Sequence, residues 1–128
     1  MSEWVLDASA VLAVIKREPG EERAAAALYA GAVISAVNLS EVVAKLAAAR
    51  APEAGIRAKI AELRMDVAPF DADAAFAAGL LIPLTRAAGL SLGDRACIAL
   101  GQRRGLPVLT ADAAWAGLDL GVEITVLR

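Results

Sequence analysis

The stretch EWVLDASAVLAVIK, residues 3–16, decides the fold class because it joins two different patterns without a linker. Its first five residues place three apolar side chains, Trp4 to Leu6, directly before Asp7, which predicts a short buried β-strand. From Ala8 to Lys16 the apolar residues follow helical spacing, and Pro19-Gly20 predicts a turn soon after it. A buried strand that passes directly into a helix begins a strand–helix alternation, which is typical of α/β proteins.

The same alternation continues to the C-terminus. Further strands are predicted at residues 31–35, 67–70, 107–109 and 123–126, and further helices at residues 21–30, 39–50, 52–64, 71–86, 91–105 and 111–116. Short apolar strands separated by helices predict a parallel sheet covered on both faces, in an α/β sandwich with right-handed crossovers. No change of composition marks a second unit, so residues 1–128 are expected to form one domain.

The chain contains no histidine and a single cysteine, Cys97. Without histidine, Ser-His-Asp and Cys-His catalysis, histidine zinc sites and nucleases with imidazole acids and bases are excluded. Cys97 lies in an apolar run, where we expect a small buried side chain and no nucleophile. One cysteine also excludes an internal disulfide and fits a reducing compartment. Hydrolytic chemistry would therefore rest on carboxylates, lysines, hydroxyls or a metal.

The formal net charge of −2 argues against a broad basic face that grips long nucleic acid. The hydrophobic fraction is 59%, yet the longest uncharged stretch, residues 24–40, is interrupted by glycine, serine and asparagine. We expect no membrane span and no signal peptide, and therefore a cytoplasmic protein. Alanine-rich helices with little polar cover are expected to leave apolar patches that contact other proteins.

Four acids occupy equivalent places relative to the predicted strands. Asp7 ends the first strand, and Glu41 lies in the first turn of the helix after the second strand. Asp94 opens the helix before the fourth strand, and Asp112 follows that strand. In a parallel sheet the carboxyl ends of the strands and the starts of the following helices share one edge, where open α/β folds bind ligands. The four acids are therefore expected to meet.

Each acid also has a purely structural interpretation. Asn38-x-x-Glu41 and Ser91-x-x-Asp94 both have the spacing of capping boxes, Asp7 could cap a helix, and Asp112 could lie one or two residues after a Thr110 cap. Taken together the four are harder to explain as caps, because carboxylates about 5 Å apart repel by roughly 3 kcal/mol per pair at an effective dielectric near 20. Such a cluster requires a compensating cation or protonation of some members.

A divalent cation gives the cluster a chemical purpose. Two ions about 4 Å apart can lower the pKa of a bound water and neutralise charge on a phosphate, so no protein base is needed. Ligands that are all oxygen favour Mg²⁺ or Mn²⁺ over zinc. This chemistry suits a chain without histidine.

Four motifs carry a resemblance to a known family. They are VLDAS at residues 5–9, NLSEV at 38–42, SLGDRAC at 91–97 and LPVLTADAAW at 106–115. Together they resemble the PIN-domain ribonucleases, most closely the VapC toxins of bacterial toxin–antitoxin pairs, along essentially the whole chain. The resemblance implies a three-layer α/β/α fold with central strand order 3-2-1-4-5.

The resemblance also implies an activity, a site and partners. The activity is endonucleolytic cleavage of RNA that depends on Mg²⁺ or Mn²⁺, with water as the nucleophile. The implied metal ligands and catalytic residues are Asp7, Glu41, Asp94 and Asp112, of which Asp7 and Asp94 would bind directly and the other two directly or through water. Ser9 and Thr110 would orient the carboxylates or a bound water. The implied partners are a cognate antitoxin and a second copy of the chain.

Two basic side chains near the acids in the sequence, Lys45 and Arg95, are candidate phosphate contacts. For Lys45 the alternative is an ion pair with Glu41, one helical turn before it. Asp71 and Asp73 follow the edge strand and are assigned to helix capping.

Two rival functions remain, while a phosphatase with an aspartate nucleophile is disfavoured because its Asp-x-Asp motif would place an acid where Ser9 stands. A phospho-accepting signalling domain is also α/β with acids at one sheet edge, but it needs adjacent acids after the first strand, where this chain has Ala8. A PIN fold kept as a non-catalytic scaffold is the other rival.

Overall fold

A computed structural model describes all residues, 1–128. The strands are β1 (Trp4–Leu6), β2 (Ala32–Ser35), β3 (Asp66–Ala68), β4 (Val108–Thr110) and β5 (Ile124–Val126). The α-helices are α1 (Ala8–Ile15), α2 (Glu21–Ala30), α3 (Ala36–Ala48), α4 (Glu53–Leu63), α5 (Ala72–Gly79), α6 (Ile82–Thr85) and α7 (Leu92–Arg104). Single 3₁₀ turns occupy Arg86–Ala88 and Ala113–Trp115.

The five strands form one parallel sheet in the order β3-β2-β1-β4-β5. Strand β1 lies at the centre, where Val5 pairs with Val33 of β2 and with Val108 of β4. The predicted fold class and strand order are confirmed. The centre of the sheet thus carries Asp7 directly after β1, between the ends of its two neighbours.

Alternate residues of the central strands face two different helical layers. Leu6, Ile34 and Leu109 point into a core formed with α1 to α4, whereas Val5, Val33 and Val108 point into a core formed with α5, α7 and Trp115. All six strand residues are fully buried. Because successive side chains of a strand point to opposite faces, three-residue strands suffice to connect both layers of the α/β/α sandwich.

One predicted helix start is wrong, and the difference affects the site. Helix α3 begins at Ala36, immediately after β2, because the Ser35 hydroxyl accepts a hydrogen bond from the Val37 backbone N–H at 3.2 Å. Asn38 therefore lies inside the helix and does not cap it. Its side chain is available for a contact beyond its own helix.

The predicted helix over residues 71–86 is interrupted. Asp71 caps its start as predicted, but α5 ends at Gly79 and α6 resumes at Ile82. Pro83 has no N–H to donate to the carbonyl of Gly79, which removes one helical hydrogen bond at this point. No helix of the chain has the length and apolarity needed to cross a membrane.

Candidate functional site

One cleft at the carboxyl edge of the sheet contains all four acids predicted from the sequence. Its volume is about 220 Å³. It is lined by Asp7, Ala8, Ser9, Leu12, Glu41, Lys45, Asp94 and Asp112. The cleft lies where the end of β1, the second turn of α3, the first turn of α7 and the end of β4 come together. Because α3 begins at Ala36, Glu41 does not lie in the first turn of its helix as predicted.

Asp7 is the most enclosed acid, with 6% of its surface exposed. Its Oδ1 accepts hydrogen bonds from the Ser9 hydroxyl at 2.7 Å and from the Ala10 backbone N–H at 2.9 Å, so Asp7 also caps α1. Its Oδ2 accepts the hydroxyl of Thr110 at 2.6 Å. These three donors fix the carboxylate in one orientation at the floor of the cleft.

The charge on Asp7 is unfavourable in this position. Burial raises the pKa of Asp7 above its ordinary value and the nearby Asp94 raises it further, while the hydrogen bonds from Thr110, Ser9 and Ala10 act in the opposite direction. Burial outweighs the hydrogen bonds because removing a carboxylate from water penalises its charged form. A cation in the cleft would relieve this penalty.

Ser9 and Thr110 also connect the two strand ends. The Ser9 hydroxyl accepts the Ala111 backbone N–H at 2.8 Å, and the Thr110 hydroxyl accepts the Asp112 backbone N–H at 3.1 Å. Each hydroxyl thus donates to Asp7 and accepts from the segment after β4. The two predicted supporting residues lie in direct contact with an acid.

Glu41 is held by Asn38, one turn before it on α3. Asn38 Nδ2 donates to Glu41 Oε1 at 2.8 Å and to the carbonyl oxygen of Gly93 at 3.0 Å. The capping-box interpretation of Asn38-x-x-Glu41 is wrong, because Ser35 takes the cap position. Asn38 instead connects α3 to the first turn of α7.

Asp94 and Asp112 are held by the turns in which they stand. Asp94 Oδ2 accepts the Ser91 backbone N–H at 3.0 Å and the Ser91 hydroxyl accepts the Asp94 N–H, which completes a capping box. Asp112 Oδ1 accepts the Ala114 backbone N–H at 2.9 Å. The capping box predicted at Ser91 and Asp94 is therefore confirmed, whereas Asp112 itself, and not Thr110, caps the turn that follows β4. Asp94 and Asp112 each still have one oxygen outside these cap bonds.

The protein supplies little positive charge to the cleft. Its two ion pairs, Arg57 with Glu53 and Arg128 with Glu18, lie elsewhere. Lys45 lines the cleft without approaching any carboxylate to within 4.0 Å, so the alternative of a Glu41–Lys45 ion pair is not observed. The acids are therefore not neutralised by contacts within the chain.

The acids share a cleft without forming a closed cage, because no three of them are grouped tightly enough to surround one cation. Asp94 and Asp112 each direct one carboxylate oxygen toward a backbone N–H of their own turn. An open set of carboxylate oxygens still fits Mg²⁺, which keeps several waters and takes only one or two carboxylates directly. The donor chemistry thus fits a hard divalent cation.

The buried thiol of Cys97 is affected by the charges of three of the acids. Burial raises the pKa of its thiol well above the ordinary value, and the charges of Asp7, Asp94 and Glu41 raise it further. Cys97 is fully buried, in agreement with the prediction of an inert small side chain. Asp112 does not contribute, which is consistent with its exposed position at the rim.

Arg95 does not line the cleft. Its guanidinium points to the opposite helix and donates to the Ala78 carbonyl oxygen at 3.1 Å, while its Nε is buried without a partner. The structure therefore does not support Arg95 as a phosphate contact. Asp71 likewise lies outside the cleft and accepts the Ala74 backbone N–H at 3.0 Å.

Two residues of the site were not recognised from the sequence, Asn38 and Gly93. A Cβ on Gly93 would lie 2.6 Å from Glu41 Oε1, so only glycine lets α7 approach the Glu41 carboxylate this closely. The available signal was a glycine inside a helical pattern, where it is unfavourable unless packing requires it. For Asn38 the signal was a second candidate for the cap, Ser35, three residues earlier.

A comparison with family models matches residues 4–119 to a model described as PIN domain. No curated protein matches the chain.

Solved structures of similar fold include several that are described as toxin–antitoxin complexes. A DNA-bound VapBC from Salmonella typhimurium is 21% identical, with full coverage of both chains and a TM-score of 0.79. A toxin–antitoxin complex from Klebsiella pneumoniae is 20% identical over 97% of each chain, with a TM-score of 0.69. VapBC-5 from Mycobacterium tuberculosis is 26% identical over 98% of each chain, with a TM-score of 0.60.

Proposed function

Because this chain belongs to the PIN-domain family, we propose that it is an endoribonuclease that depends on Mg²⁺ or Mn²⁺ and acts as the toxin of a toxin–antitoxin pair. The observation that carries the proposal is the cleft in which Asp7, Glu41, Asp94 and Asp112 meet with no arginine or lysine paired to them. Up to four negative charges in one cleft repel one another unless a cation is shared among them. The cleft therefore suits a divalent cation, and a bound cation would in turn attract an anionic substrate.

Asp7 and Asp94 would bind the cation directly, and Glu41 and Asp112 would bind it directly or through its waters. When bound, such an ion activates a water for attack on a phosphodiester and neutralises charge on the phosphate. The residues of the chain prepare for this before substrate arrives. Thr110 and Ser9 keep Asp7 in place through bonds of 2.6 and 2.7 Å, so its carboxylate does not need to reorganise.

Lys45 would bind the phosphate backbone of the RNA. It lines the cleft one helical turn beyond Glu41, is exposed and has no carboxylate partner within 4.0 Å. A single flexible ammonium gives transient binding of a short segment, in keeping with the net charge of −2.

The phospho-accepting alternative is disfavoured by the surroundings of Asp7. Such a domain needs adjacent acids after the first strand, whereas Asp7 is followed by Ala8, which also lines the cleft. A non-catalytic scaffold is the remaining rival, and only an activity measurement distinguishes it.

The test is cleavage of labelled RNA, and of DNA of the same sequence, with and without Mg²⁺ or Mn²⁺. We expect cleavage of RNA only, abolished by chelation and by Asp94→Asn, with the fold of that variant intact. Asp71→Asn is the matched control, because Asp71 also caps a helix but lies outside the cleft. Full cation-dependent activity in Asp94→Asn would reject the assignment, and inactivity of the wild type would favour the scaffold.

Two apolar surfaces support protein partners. A groove of about 640 Å³ between α3 and α4 is lined largely by apolar residues, among them Leu39, Val43 and Ile60, and a concave surface of this kind suits a segment of an antitoxin. The solved complexes of similar fold support an antitoxin partner.

The cytoplasm, where RNA is available and a lone cysteine stays reduced, is the proposed location.

The second surface is a stripe formed by Phe76, Leu80 and Leu84, which are 72%, 72% and 68% exposed. Phe76 lies in α5, Leu84 lies in α6, and Leu80 lies in the turn between them. In an antiparallel pair of copies with Leu80 at the two-fold axis, Phe76 of one copy would meet Leu84 of the other. We propose a homodimer through this stripe, and Leu80→Arg should convert it to a monomer in light scattering, whereas an unchanged mass would exclude the stripe.

A further inference from the structure

Asn38 is an amide with almost no access to solvent, since only 1% of its surface is exposed. Its Nδ2 donates to Glu41 Oε1 and to the carbonyl oxygen of Gly93, which is 55 residues away in the chain. Both partners are acceptors, so the NH₂ group and not the oxygen must face them. The orientation of the side chain is thus fixed by its neighbours.

The same orientation leaves Asn38 Oδ1 buried without a hydrogen-bond partner. A buried polar atom without a partner costs free energy, and a leucine of similar size would avoid that cost. The Gly93 carbonyl does not depend on Asn38 either, because within α7 it accepts the backbone N–H four residues further on. Stability of the fold therefore does not explain an asparagine at this position.

Glu41 does depend on Asn38. Asn38 is the only residue that donates a hydrogen bond to the Glu41 carboxylate. The carboxylate also rests against Gly93, in the volume that a larger side chain at position 93 would fill. Without these two contacts, a glutamate with three rotatable side-chain bonds would leave the cleft for much of the time.

From these contacts we infer that Asn38 is a positioning residue that holds the Glu41 carboxylate in the cleft, and that Gly93 provides the space for it. The link to cation binding and catalysis rests on the proposed function. The link between Asn38 and Glu41 does not, and it can be tested without a cation.

The first experiment compares Asn38→Leu with the wild type by calorimetric titration with Mn²⁺ and by thermal unfolding without cation. We expect Mn²⁺ affinity to fall about tenfold or more, with a melting temperature close to that of the wild type. A merely structural role would give the opposite result, a lower melting temperature with unchanged affinity. Ser40→Ala is the control, because Ser40 is exposed on the same helix beside Glu41.

Gly93→Ala perturbs the Glu41 carboxylate from the side of α7. The added methyl group would displace this carboxylate without any change to the Asn38 side chain itself. Alanine also favours a helix more than glycine does. We expect Mn²⁺ affinity to fall in the same direction as in Asn38→Leu, with a melting temperature equal to or above that of the wild type. Wild-type affinity in either variant would overturn the inference.

A cation-free measurement separates this inference from the proposed function. In ¹H–¹⁵N spectra of the metal-free protein, the side-chain amide signals of Asn38 should move on Glu41→Gln and stay in place on Asp112→Asn. Asn38 signals that do not respond to Glu41→Gln would overturn the inference, whether or not the protein binds Mn²⁺. A wild type that binds no Mn²⁺ would instead reject the proposed function.

Discussion

The four acids of the cleft are held in two different ways. We call Asp7 and Glu41 the inner pair and Asp94 and Asp112 the outer pair, and the names refer to the contacts that hold them and not to their depth. Asp7 accepts a hydrogen bond from Thr110, 103 residues away in the chain. Glu41 accepts one from Asn38, whose amide also donates to the first turn of α7. The outer acids accept hydrogen bonds only from backbone N–H groups of their own turns.

This difference separates a fixed part of the site from an adjustable part. The inner carboxylates depend on contacts between distant segments, so they take their positions only when the sheet and α7 are assembled. Each outer carboxylate can leave its cap at a cost of about 1 kcal/mol. We therefore expect the inner pair to fix the position of a cation and the outer pair to adapt to it.

The largest expected effect distinguishes Asp7 from Asp112. Asp7→Asn should reduce RNA cleavage on the order of 10³-fold, because a central carboxylate loses its charge. Asp112→Asn should reduce it only about tenfold, because this acid lies exposed at the rim. Single-turnover rates at saturating Mg²⁺ measure both. Equal losses in the two variants would remove the distinction between inner and outer acids.

A smaller effect is expected from a residue that only holds an inner acid. Thr110→Val keeps the shape of the side chain but removes the hydroxyl 2.6 Å from Asp7 Oδ2. We expect activity to fall about 10- to 100-fold, as for other residues that orient metal ligands. Thr125→Val, on β5 of the same sheet, is the control and should retain wild-type activity. Retention of full activity by Thr110→Val would mean that the inner pair does not need its distant partner.

For the cap that holds Asp94, as distinct from the Asp94 carboxylate itself, we expect a change in stability more than in activity. Ser91→Ala removes the hydroxyl that caps α7 and leaves the Ser91 backbone N–H for Asp94. Loss of a cap of about 1 kcal/mol lowers the melting temperature of a domain of this size by roughly 3–6 °C. Cleavage rates should stay within about threefold of the wild type, since one cap bond to Asp94 is retained. A large loss of activity at unchanged melting temperature would contradict the adjustable role of Asp94.

The smallest expected effect is a dependence of stability on pH that comes from Asp7. Its pKa is raised in the fold, chiefly by burial, so the folded state binds the proton more tightly than the unfolded chain. The destabilisation from its charge is therefore fully present above the folded pKa and disappears as pH falls below the ordinary value of 3.8.

Without cation, Asp7→Asn should then melt a few degrees above the wild type at pH 7, and the difference should narrow toward pH 4. Melting curves at several pH values in the presence of a chelator measure this. A variant that is less stable than the wild type at pH 7 would show that the hydrogen bonds to Asp7 outweigh its burial.

Features with a local cause were predictable from the sequence. The capping box at Ser91, the cap at Asp71 and the end of α7 before Gly105 all follow from side chains that act on their own turn. The positions of the four acids followed from strand ends, since the parallel topology brings those ends to one edge. The start of α3 was missed because Ser35 and Asn38 are both good cap residues and only packing decides between them.

Features that depend on contacts between segments were not predictable. Nothing in the local pattern indicates that Asn38 reaches Gly93 or that the Arg95 guanidinium turns toward Ala78. The direction of the Glu41 carboxylate was also beyond the sequence, because it depends on the buried Asn38 amide and on the close approach of Gly93.

Binding of Mn²⁺ to matched variants tests most directly whether the acids of the cleft share a cation. Calorimetric titration of the metal-free protein should give saturable binding that is lost in Asp7→Asn and kept in Asp71→Asn. These two aspartates cap helices in the same way, with N–H contacts of 2.9 and 3.0 Å, and differ in that only Asp7 lines the cleft. Equal binding by both variants, or no saturable binding by the wild type, would contradict a cation site at this edge of the sheet.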